Sequence, residues 1–207
     1  MIFQIQFASR ALRQSFSTTL EFTRIAWLAS LLLVAGCGPQ VSIPQGVQVF
    51  FSPHGGATEA VVNALDHATN EVLVQAYSFT SAPIARALVD AQRRGVRTEV
   101  ILDKSQRTEK YSEADFLRHE GIPTLIDAEH SIAHNKVMVI DGHLVLTGSF
   151  NFTKAAEENN AENLLVINDP LLAKQYSENW RRHEQHSESY EREPATTQRS
   201  TRAKKEF

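Results

Sequence analysis

Two short segments in the second half of the chain carry side chains of the types and spacing that catalytic sites use. His134 and Lys136 are two residues apart at the start of an apolar run that predicts a strand, so both project from one face. Ser149 and Asn151 have the same spacing after the next predicted strand. An imidazole can act as nucleophile or acid–base group, while an ammonium, a hydroxyl and an amide can bind phosphate oxygens. The four side chains therefore predict a single site for phosphoryl chemistry.

Two carboxylates accompany this set, and we expect different roles for them. Glu162 comes just before a later predicted strand and could accept a hydrogen bond from His134, which would fix the imidazole tautomer. Asp141 is five residues from Lys136, so its side chain would project from the opposite face of the strand. It also forms an Asp-Gly turn with Gly142. We therefore expect Glu162 to orient the catalytic imidazole and Asp141 to give structural support.

Strand-like and helix-like segments alternate around these residues. Apolar runs predict strands at residues 47–51, 72–77, 96–102, 123–126, 136–140, 144–147 and 164–167. Helical spacing and capping residues predict helices at 58–69, 84–94 and 112–120, and a last helix from Asp169-Pro170 to about His186. The Asp-Gly turn between two strands predicts a hairpin. This order predicts an α/β fold, a single α/β/α sandwich with a mixed, mostly parallel sheet.

The spaced pattern His-x-Lys-x4-Asp followed by Gly-Ser-x-Asn resembles the motif of the phospholipase D superfamily. Its positions are filled by His134, Lys136, Asp141, Gly148, Ser149 and Asn151. The flanking segments 77–80 and 148–156 look like those of small bacterial Nuc-type endonucleases. The resemblance covers about residues 47–186 and implies the phospholipase D-like fold.

The resemblance implies a phosphodiesterase that needs no metal or other cofactor. In that family one His attacks phosphorus to form a phosphohistidine, and a second His protonates the leaving oxygen. One imidazole cannot do both in the same step, because a nucleophile must be neutral and a general acid protonated. This chain has a single His-x-Lys motif. It therefore predicts a two-fold homodimer in which His134 of each protomer meets the other.

The catalytic set leaves three hypotheses for the function. The first is a sequence-nonspecific endonuclease acting on DNA or RNA, the second a phospholipase D or cardiolipin-type lipid phosphodiesterase, and the third a non-catalytic binding module. A net charge of −3 opposes nonspecific nucleic-acid binding. A basic face could still come from one stretch containing Arg86, Arg93, Arg94, Arg97, Lys104, Arg107, Lys110 and Arg118. No long apolar loop predicts an acyl-chain groove, so we favour the endonuclease and keep lipid hydrolysis as the alternative.

The N-terminal region predicts export. The chain of 207 residues is 42% hydrophobic and 22% charged, which is ordinary for a globular protein. No apolar run reaches the roughly 20 residues that a membrane-spanning helix needs. Residues 1–36 combine three arginines, a short apolar stretch and a small-residue ending, which is typical of a signal peptide. The ending Val-Ala-Gly before Cys37, the only cysteine, resembles a bacterial lipobox and makes Cys37 the expected lipidation site.

These features divide the chain into four parts. Residues 1–36 are the predicted lipoprotein-type signal peptide, 37–46 a tether, 47–186 the catalytic domain and 187–207 a disordered polar tail. We expect a lipid-anchored protein at the periplasmic face of a bacterial membrane. Gly38 after the cysteine favours the outer membrane, and without lipidation the protein would be soluble in the periplasm.

Three further motifs carry weaker signals. His183 and His186 are three apart on the last predicted helix, a spacing that permits metal binding, but the neighbouring Arg181-Arg182 and the absence of a third ligand favour a solvated helix face. The Gly-Gly pair 55–56 before a helix could receive an anion. The Glu-Glu pair 157–158 is expected to be a solvated helix face. We therefore expect no metal site.

Overall fold

The computed structural model describes residues 46–191, which form an eight-stranded sheet with helices on both faces. The strands are β1 (Val47–Ser52), β2 (Glu71–Ala76), β3 (Arg97–Asp103), β4 (Thr124–Asp127), β5 (Lys136–Ile140), β6 (Leu144–Gly148), β7 (Glu162–Asn168) and β8 (Glu188–Ser189). The helices are α1 (Ala57–Asp66), α2 (Ala82–Arg93), α3 (Ala114–His119), α4 (Lys154–Glu158) and α5 (Pro170–Glu184), with a 3-10 turn at Lys104–Arg107. The strand order across the sheet is β1-β7-β6-β5-β2-β3-β4-β8.

The central strands bury both of their faces. On β2, Val72 and Val74 pack into the larger apolar cluster with helices α1, α2 and α3, whereas Leu73 packs into a smaller cluster with α5. This alternation follows from the two-residue period of a strand. In the smaller cluster Trp180 is fully buried, and its indole Nε1 donates to the backbone oxygen of Val74 at 2.8 Å. The predicted α/β/α sandwich with a mixed sheet is therefore confirmed.

The prediction that the sheet is mostly parallel is wrong. Within residues 46–191, five of the seven neighbouring strand pairs are antiparallel, and the parallel pairs are β2–β3 and β3–β4. A parallel pair needs a crossover connection, and helices α2 and α3 supply the crossovers for these two pairs. The other half of the sheet is joined by hairpins and by β5, which inserts antiparallel to β2.

The domain also continues past the boundary predicted at residue 186. Strand β8 pairs with the edge strand β4, and Tyr190 is buried beside it in the larger apolar cluster. The prediction of a disordered tail is therefore wrong for residues 187–191. Their polar composition gives no strand signal, although they include a strand that pairs with β4 and covers that side of the sheet. The rest of that tail, the signal peptide, Cys37 and nearly all of the tether lie outside the described residues and stay predictions.

Among residues 46–191, no helix has both the length and the apolar character needed to cross a membrane.

Asp141 joins the β5–β6 hairpin to the loop before β2. Its carboxylate accepts hydrogen bonds from the backbone N–H groups of Thr69 (2.9 Å), Asn70 (2.7 Å) and Glu71 (3.0 Å) and from the Thr69 hydroxyl (2.8 Å). Burial acts to raise the pKa of Asp141, but these hydrogen bonds outweigh it and hold the pKa below its usual value. They also hold residues 69–71 outside the helix, so α1 ends at Asp66 and not at Thr69 as predicted. These contacts support the structural role expected for Asp141.

We expect the substitution Asp141→Asn to lower the free energy of unfolding by about 1–3 kcal/mol, because charge-assisted hydrogen bonds to three N–H groups are weakened. Asn tolerates the positive φ of 52° at this position, so the loss reports the charge and not backbone strain. The folded pKa is lowered, so the stabilisation is complete above the unfolded pKa of about 3.9 and is lost as the pH falls through the folded pKa. Urea unfolding of both proteins at several pH values measures this difference.

The exposed Asp66→Asn is the matched control and should leave stability unchanged. An Asp141→Asn deficit that stayed constant down to the lowest pH at which the protein folds would contradict the assignment.

Candidate active site

One edge of the sheet brings together the residues that the sequence analysis assigns to catalysis. Strands β1, β2 and β6 end at this edge and strands β5 and β7 begin there, as the paired positions Ala76–Lys136 and Ser52–Glu162 illustrate. Asp141 follows the opposite end of β5, roughly 17 Å along the strand at about 3.4 Å per residue. It is therefore remote from the other motif residues.

His134 and Lys136 contact the same aromatic ring. The Tyr77 ring centroid lies 4.6 Å from that of the His134 imidazole and 5.1 Å from the Lys136 Nζ. Lys136 Nζ donates to the backbone oxygen of His134 at 2.9 Å, and the Tyr77 N–H donates to the backbone oxygen of Asn135 at 2.7 Å. His134 is exposed, whereas Lys136 is only 7% exposed. The site thus presents an imidazole to solvent from a fixed backbone, with an ammonium group beneath it.

The charge on Lys136 depends on its surroundings. Burial lowers the pKa of Lys136, and the negative charge of Glu162 raises it by a smaller amount. The hydrogen bond expected between Glu162 and His134 is not formed within residues 46–191. The Glu162 carboxylate instead accepts from Asn160 Nδ2 at 3.3 Å. Glu162 is the first residue of β7, and β6 lies between β7 and β5 in the sheet. The Glu162 carboxylate therefore acts on Lys136 through its charge and makes no hydrogen bond to the His134 imidazole.

Gly148 allows β6 and β7 to approach closely just before the second pair of motif residues. Its φ is +149°, and a Cβ at this position would lie 2.2 Å from the backbone oxygen of Asn163. Directly after it, Ser149 Oγ accepts hydrogen bonds from Asn163, from the backbone N–H at 3.0 Å and from Nδ2 at 3.3 Å. Because these bonds use the acceptor capacity of the hydroxyl, its own proton can be donated to an anion.

Asn151 carries a buried polar atom with no bonding partner. Its Oδ1 is buried and makes no hydrogen bond to any described residue, an arrangement that costs about 1–3 kcal/mol. The next residue is well anchored: Phe152 O accepts from the N–H groups of Thr80 and Ser81, each at 3.0 Å. A parallel bridge also joins Phe79 to Phe152. Residues 77–80 and 148–156, the two segments that look like those of Nuc-type endonucleases, are therefore packed side by side.

The Gly-Gly segment before α1 is bound by a carboxylate of the protein itself. Glu157 accepts from the N–H groups of Gly56 (3.3 Å) and Thr58 (2.7 Å). A helix N-terminus favours a negative charge, so Glu157 caps α1. The expectation that Glu157 belongs to a solvated helix face is therefore wrong. The segment is thus a helix entry whose negative charge comes from helix α4, and the first turn of α4 is itself capped by Thr153 Oγ1.

Two residues of the site lie outside the sequence prediction. Tyr77 directly follows β2, and its place at a strand end on the catalytic edge is the signal that could have identified it. Asn163 is positioned by the pairing of β6 with β7, a long-range register that periodicity does not reveal.

The fold and the site together are those of a phosphodiesterase of the phospholipase D superfamily, and the chain belongs to that superfamily. Residues 61–183 match the family model described as cardiolipin synthase, PLD-like domain. The chain is 43% identical over 134 residues to a phospholipase D from Rickettsia felis, which covers 65% of this chain and 67% of that protein. It is 37% identical over 106 residues to the mitochondrial cardiolipin hydrolase of Xenopus laevis, which covers 51% of this chain and 50% of that protein.

A solved structure shares the phospholipase D-like fold. The phospholipase D family member Nuc from Salmonella typhimurium matches with a TM-score of 0.67 and 41% identity. The match covers 70% of this chain and 97% of Nuc. The predicted fold family and its Nuc-type relationship are thereby confirmed.

We expect the substitution Glu162→Gln to lower the pKa of the Lys136 ammonium. Removing the carboxylate leaves burial to act alone on Lys136, so its positive charge is lost earlier as pH rises. An NMR titration of the Lys136 side chain with isotope-labelled lysine measures the shift. The exposed Glu158→Gln should leave this pKa unchanged, and an unmoved Lys136 titration in Glu162→Gln would show that this charge does not act on Lys136.

Proposed function

We propose that the protein is a sequence-nonspecific endonuclease that hydrolyses DNA or RNA in a homodimer, without a metal ion in the chemical step. The observation that carries the proposal is the exposed imidazole of His134, whose backbone oxygen accepts from the buried ammonium of Lys136 and whose ring contacts the same Tyr77 ring as that ammonium. An exposed nucleophile beside a fixed positive charge suits attack on an anionic diester, whose charge increases at the transition state.

The proposed reaction has two steps. A nitrogen of neutral His134 attacks phosphorus, forming a P–N bond while the P–O bond to the leaving group breaks. The leaving oxygen takes a proton from the imidazolium of His134 of the partner subunit. In the second step water attacks phosphorus as the P–N bond breaks, and the proton from water returns to the partner imidazole. Lys136, the Ser149 hydroxyl and the Asn151 amide bind the non-bridging oxygens throughout.

Exposed apolar side chains at the catalytic edge support the dimer. Phe51 is 65% exposed at the end of β1, and Ile132 is 58% exposed two residues before His134. Contact between two copies through this edge would cover both side chains and bring the two imidazoles together. The unpartnered Asn151 oxygen agrees with a site that one chain leaves incomplete.

The charge distribution bears on the substrate. Ion pairs within the chain engage much of the basic stretch identified in the sequence: Arg93 pairs with Glu120, Arg97 with Glu71, Arg107 with Glu188 and Arg118 with Glu191. Four of the eight residues that could form a basic face are therefore engaged in ion pairs, and the cationic groups of the site itself must supply much of the attraction for phosphates. An open, polar edge suits an extended polymer, and the segments around the motif resemble those of Nuc-type endonucleases.

Lipid hydrolysis is the second candidate. The similar proteins named phospholipase D and mitochondrial cardiolipin hydrolase favour it, as do the apolar side chains Phe51 and Ile132 beside the site. A cavity of about 260 Å³ lies at the opposite edge of the sheet, lined by residues such as Phe50, Leu144 and Val166. Its lining includes Asp141 and His143 in the β5–β6 turn, and it contains none of the residues assigned to catalysis at the other edge. This separation, together with the Nuc-type segments, makes the nuclease our first proposal, at the periplasmic face of the membrane if residues 1–37 act as predicted.

We expect the purified protein to nick supercoiled plasmid in the presence of EDTA and to leave cardiolipin and phosphatidylcholine vesicles intact. His134→Ala should lose about 10³-fold or more of the rate while keeping its unfolding midpoint, because the nucleophile is absent and its exposed side chain stabilises little. The exposed His67→Ala should keep full activity. Hydrolysis of the vesicle lipids without cleavage of plasmid would show that the protein is a lipid hydrolase and not a nuclease.

We also expect a heterodimer of one wild-type chain and one His134→Ala chain to be inactive. If each reaction centre needs both imidazoles, a mixed dimer isolated through two different affinity tags has no complete centre. A heterodimer with half the wild-type rate, or a fully active monomer by sedimentation, would show that one chain suffices. A tagged heterodimer carrying His67→Ala is the control for the tags.

A further inference from the structure

A second cluster of ionisable side chains lies at the end of β4. Asp127 is the last residue of this strand and is fully buried. His130 comes from the following loop, His183 from α5 and His186 from the turn after α5. One ligand atom from each of the four lies within 4.8 Å of all the others.

The carboxylate is the centre of this cluster. Asp127 Oδ2 lies 2.7 Å from Nδ1 of His183, 3.0 Å from Nδ1 of His130 and 3.4 Å from Nε2 of His186. Burial acts to raise the pKa of Asp127, but the hydrogen bonds with His130 and His183 and the nearby ring of His186 outweigh it and lower the pKa. The group is therefore an anion surrounded by imidazoles.

His186 has one buried nitrogen without a hydrogen-bond partner in the cluster. Its Nδ1 lies 3.3 Å from Glu129 Oε2. Nε2 is buried and makes no hydrogen bond to a described residue. A buried polar atom left without a partner costs free energy, and a cation between this nitrogen and the Asp127 carboxylate would bind both. A carboxylate on the distal nitrogen is also how proteins orient a histidine that ligates a metal.

We propose that Asp127, His130, His183 and His186 bind one Zn²⁺ ion. Three imidazole nitrogens and one carboxylate oxygen form a ligand set that Zn²⁺ binds tetrahedrally. Bonds of about 2.1 Å would place neighbouring ligand atoms about 3.4 Å apart. The distances of 2.7–3.4 Å around Asp127 Oδ2 are close to this value, whereas ligand atoms that are up to 4.8 Å apart would have to move closer together. With all four positions taken by protein atoms, the site is structural.

The proposed ion would hold the loop that carries the catalytic imidazole. Residues 128–135 connect β4 to β5, with His130 near the start and His134 near the end. The later part of the loop is fixed because the Ala133 N–H donates to Asp103 Oδ2 at 2.7 Å. Zn²⁺ would fix the earlier part and join it to α5. The proposal does not depend on the substrate, and the ion takes no part in the reaction.

The first test measures binding of Zn²⁺ to the purified full-length protein after removal of metal with a chelator. Calorimetric titration with ZnCl₂ should give one ion per chain, and Zn²⁺ should raise the thermal unfolding midpoint by about 5 °C or more. The variants His183→Ala and Asp127→Asn should lose both effects. The matched control is His119→Ala, an exposed histidine bonded to its own helix at Asp115 O, which should keep both.

The second test needs no variant. Co²⁺ added to the metal-free wild-type protein should give the intense visible absorption of tetrahedral cobalt, and one equivalent of Zn²⁺ should abolish it. Weak octahedral absorption, or a Zn²⁺ response equal in wild type, His183→Ala and His119→Ala, would overturn the proposal and leave a network of hydrogen-bonded imidazoles. Plasmid cleavage is scored separately, below the unfolding temperature of the metal-free protein, so failure of the nuclease proposal leaves this result intact.

Discussion

The antiparallel insertion of β5 between β2 and β6 is the constraint on which the site depends. Because β5 runs against both neighbours, its first residue lies at the edge where β2 and β6 end. Lys136 and the preceding His134 therefore meet Tyr77 after β2 and the Ser149 segment after β6. A parallel β5 would carry the same two residues to the opposite edge, about 17 Å away for a five-residue strand. The departure from a mostly parallel sheet is thus the feature that assembles the motif.

Desolvation decides how this assembly works. Lys136 is buried under an exposed imidazole, and the carbonyl of His134 and the Tyr77 ring together compensate part of its lost hydration. The remaining penalty appears as a lowered pKa, which the charge of Glu162 reduces. A cation in such surroundings attracts an anionic ester more strongly than a solvated one, because less water screens it. Glu162 thereby keeps the ammonium charged while the burial of Lys136 keeps its field strong.

The sequence predicted local structure well and long-range partners poorly. The strand at Lys136–Ile140 and the Asp-Gly hairpin follow from periodicity and turn chemistry, and the structure has both. The direction of strand pairing has no such local signal, which explains the error about the sheet. Strand β8 was missed because its pairing with β4 compensates for a polar sequence. Glu157 was misjudged because the helix that it caps begins about 100 residues earlier in the chain.

The histidine cluster shows the same limit more sharply. The sequence contains the pairs Asp127-x-x-His130 and His183-x-x-His186, and each pair alone is too small to be a metal site. They become one cluster because α5 packs across the sheet face and ends beside the end of β4, joining residues 56 positions apart.

The loop of residues 128–135 is then held at the cluster near His130, at Asp103 through Ala133, and at Lys136 through the carbonyl of His134. A side chain at the end of a loop anchored in this way needs little reorganisation to keep its place. These contacts explain how His134, which lies outside any strand or helix, is held in a defined position.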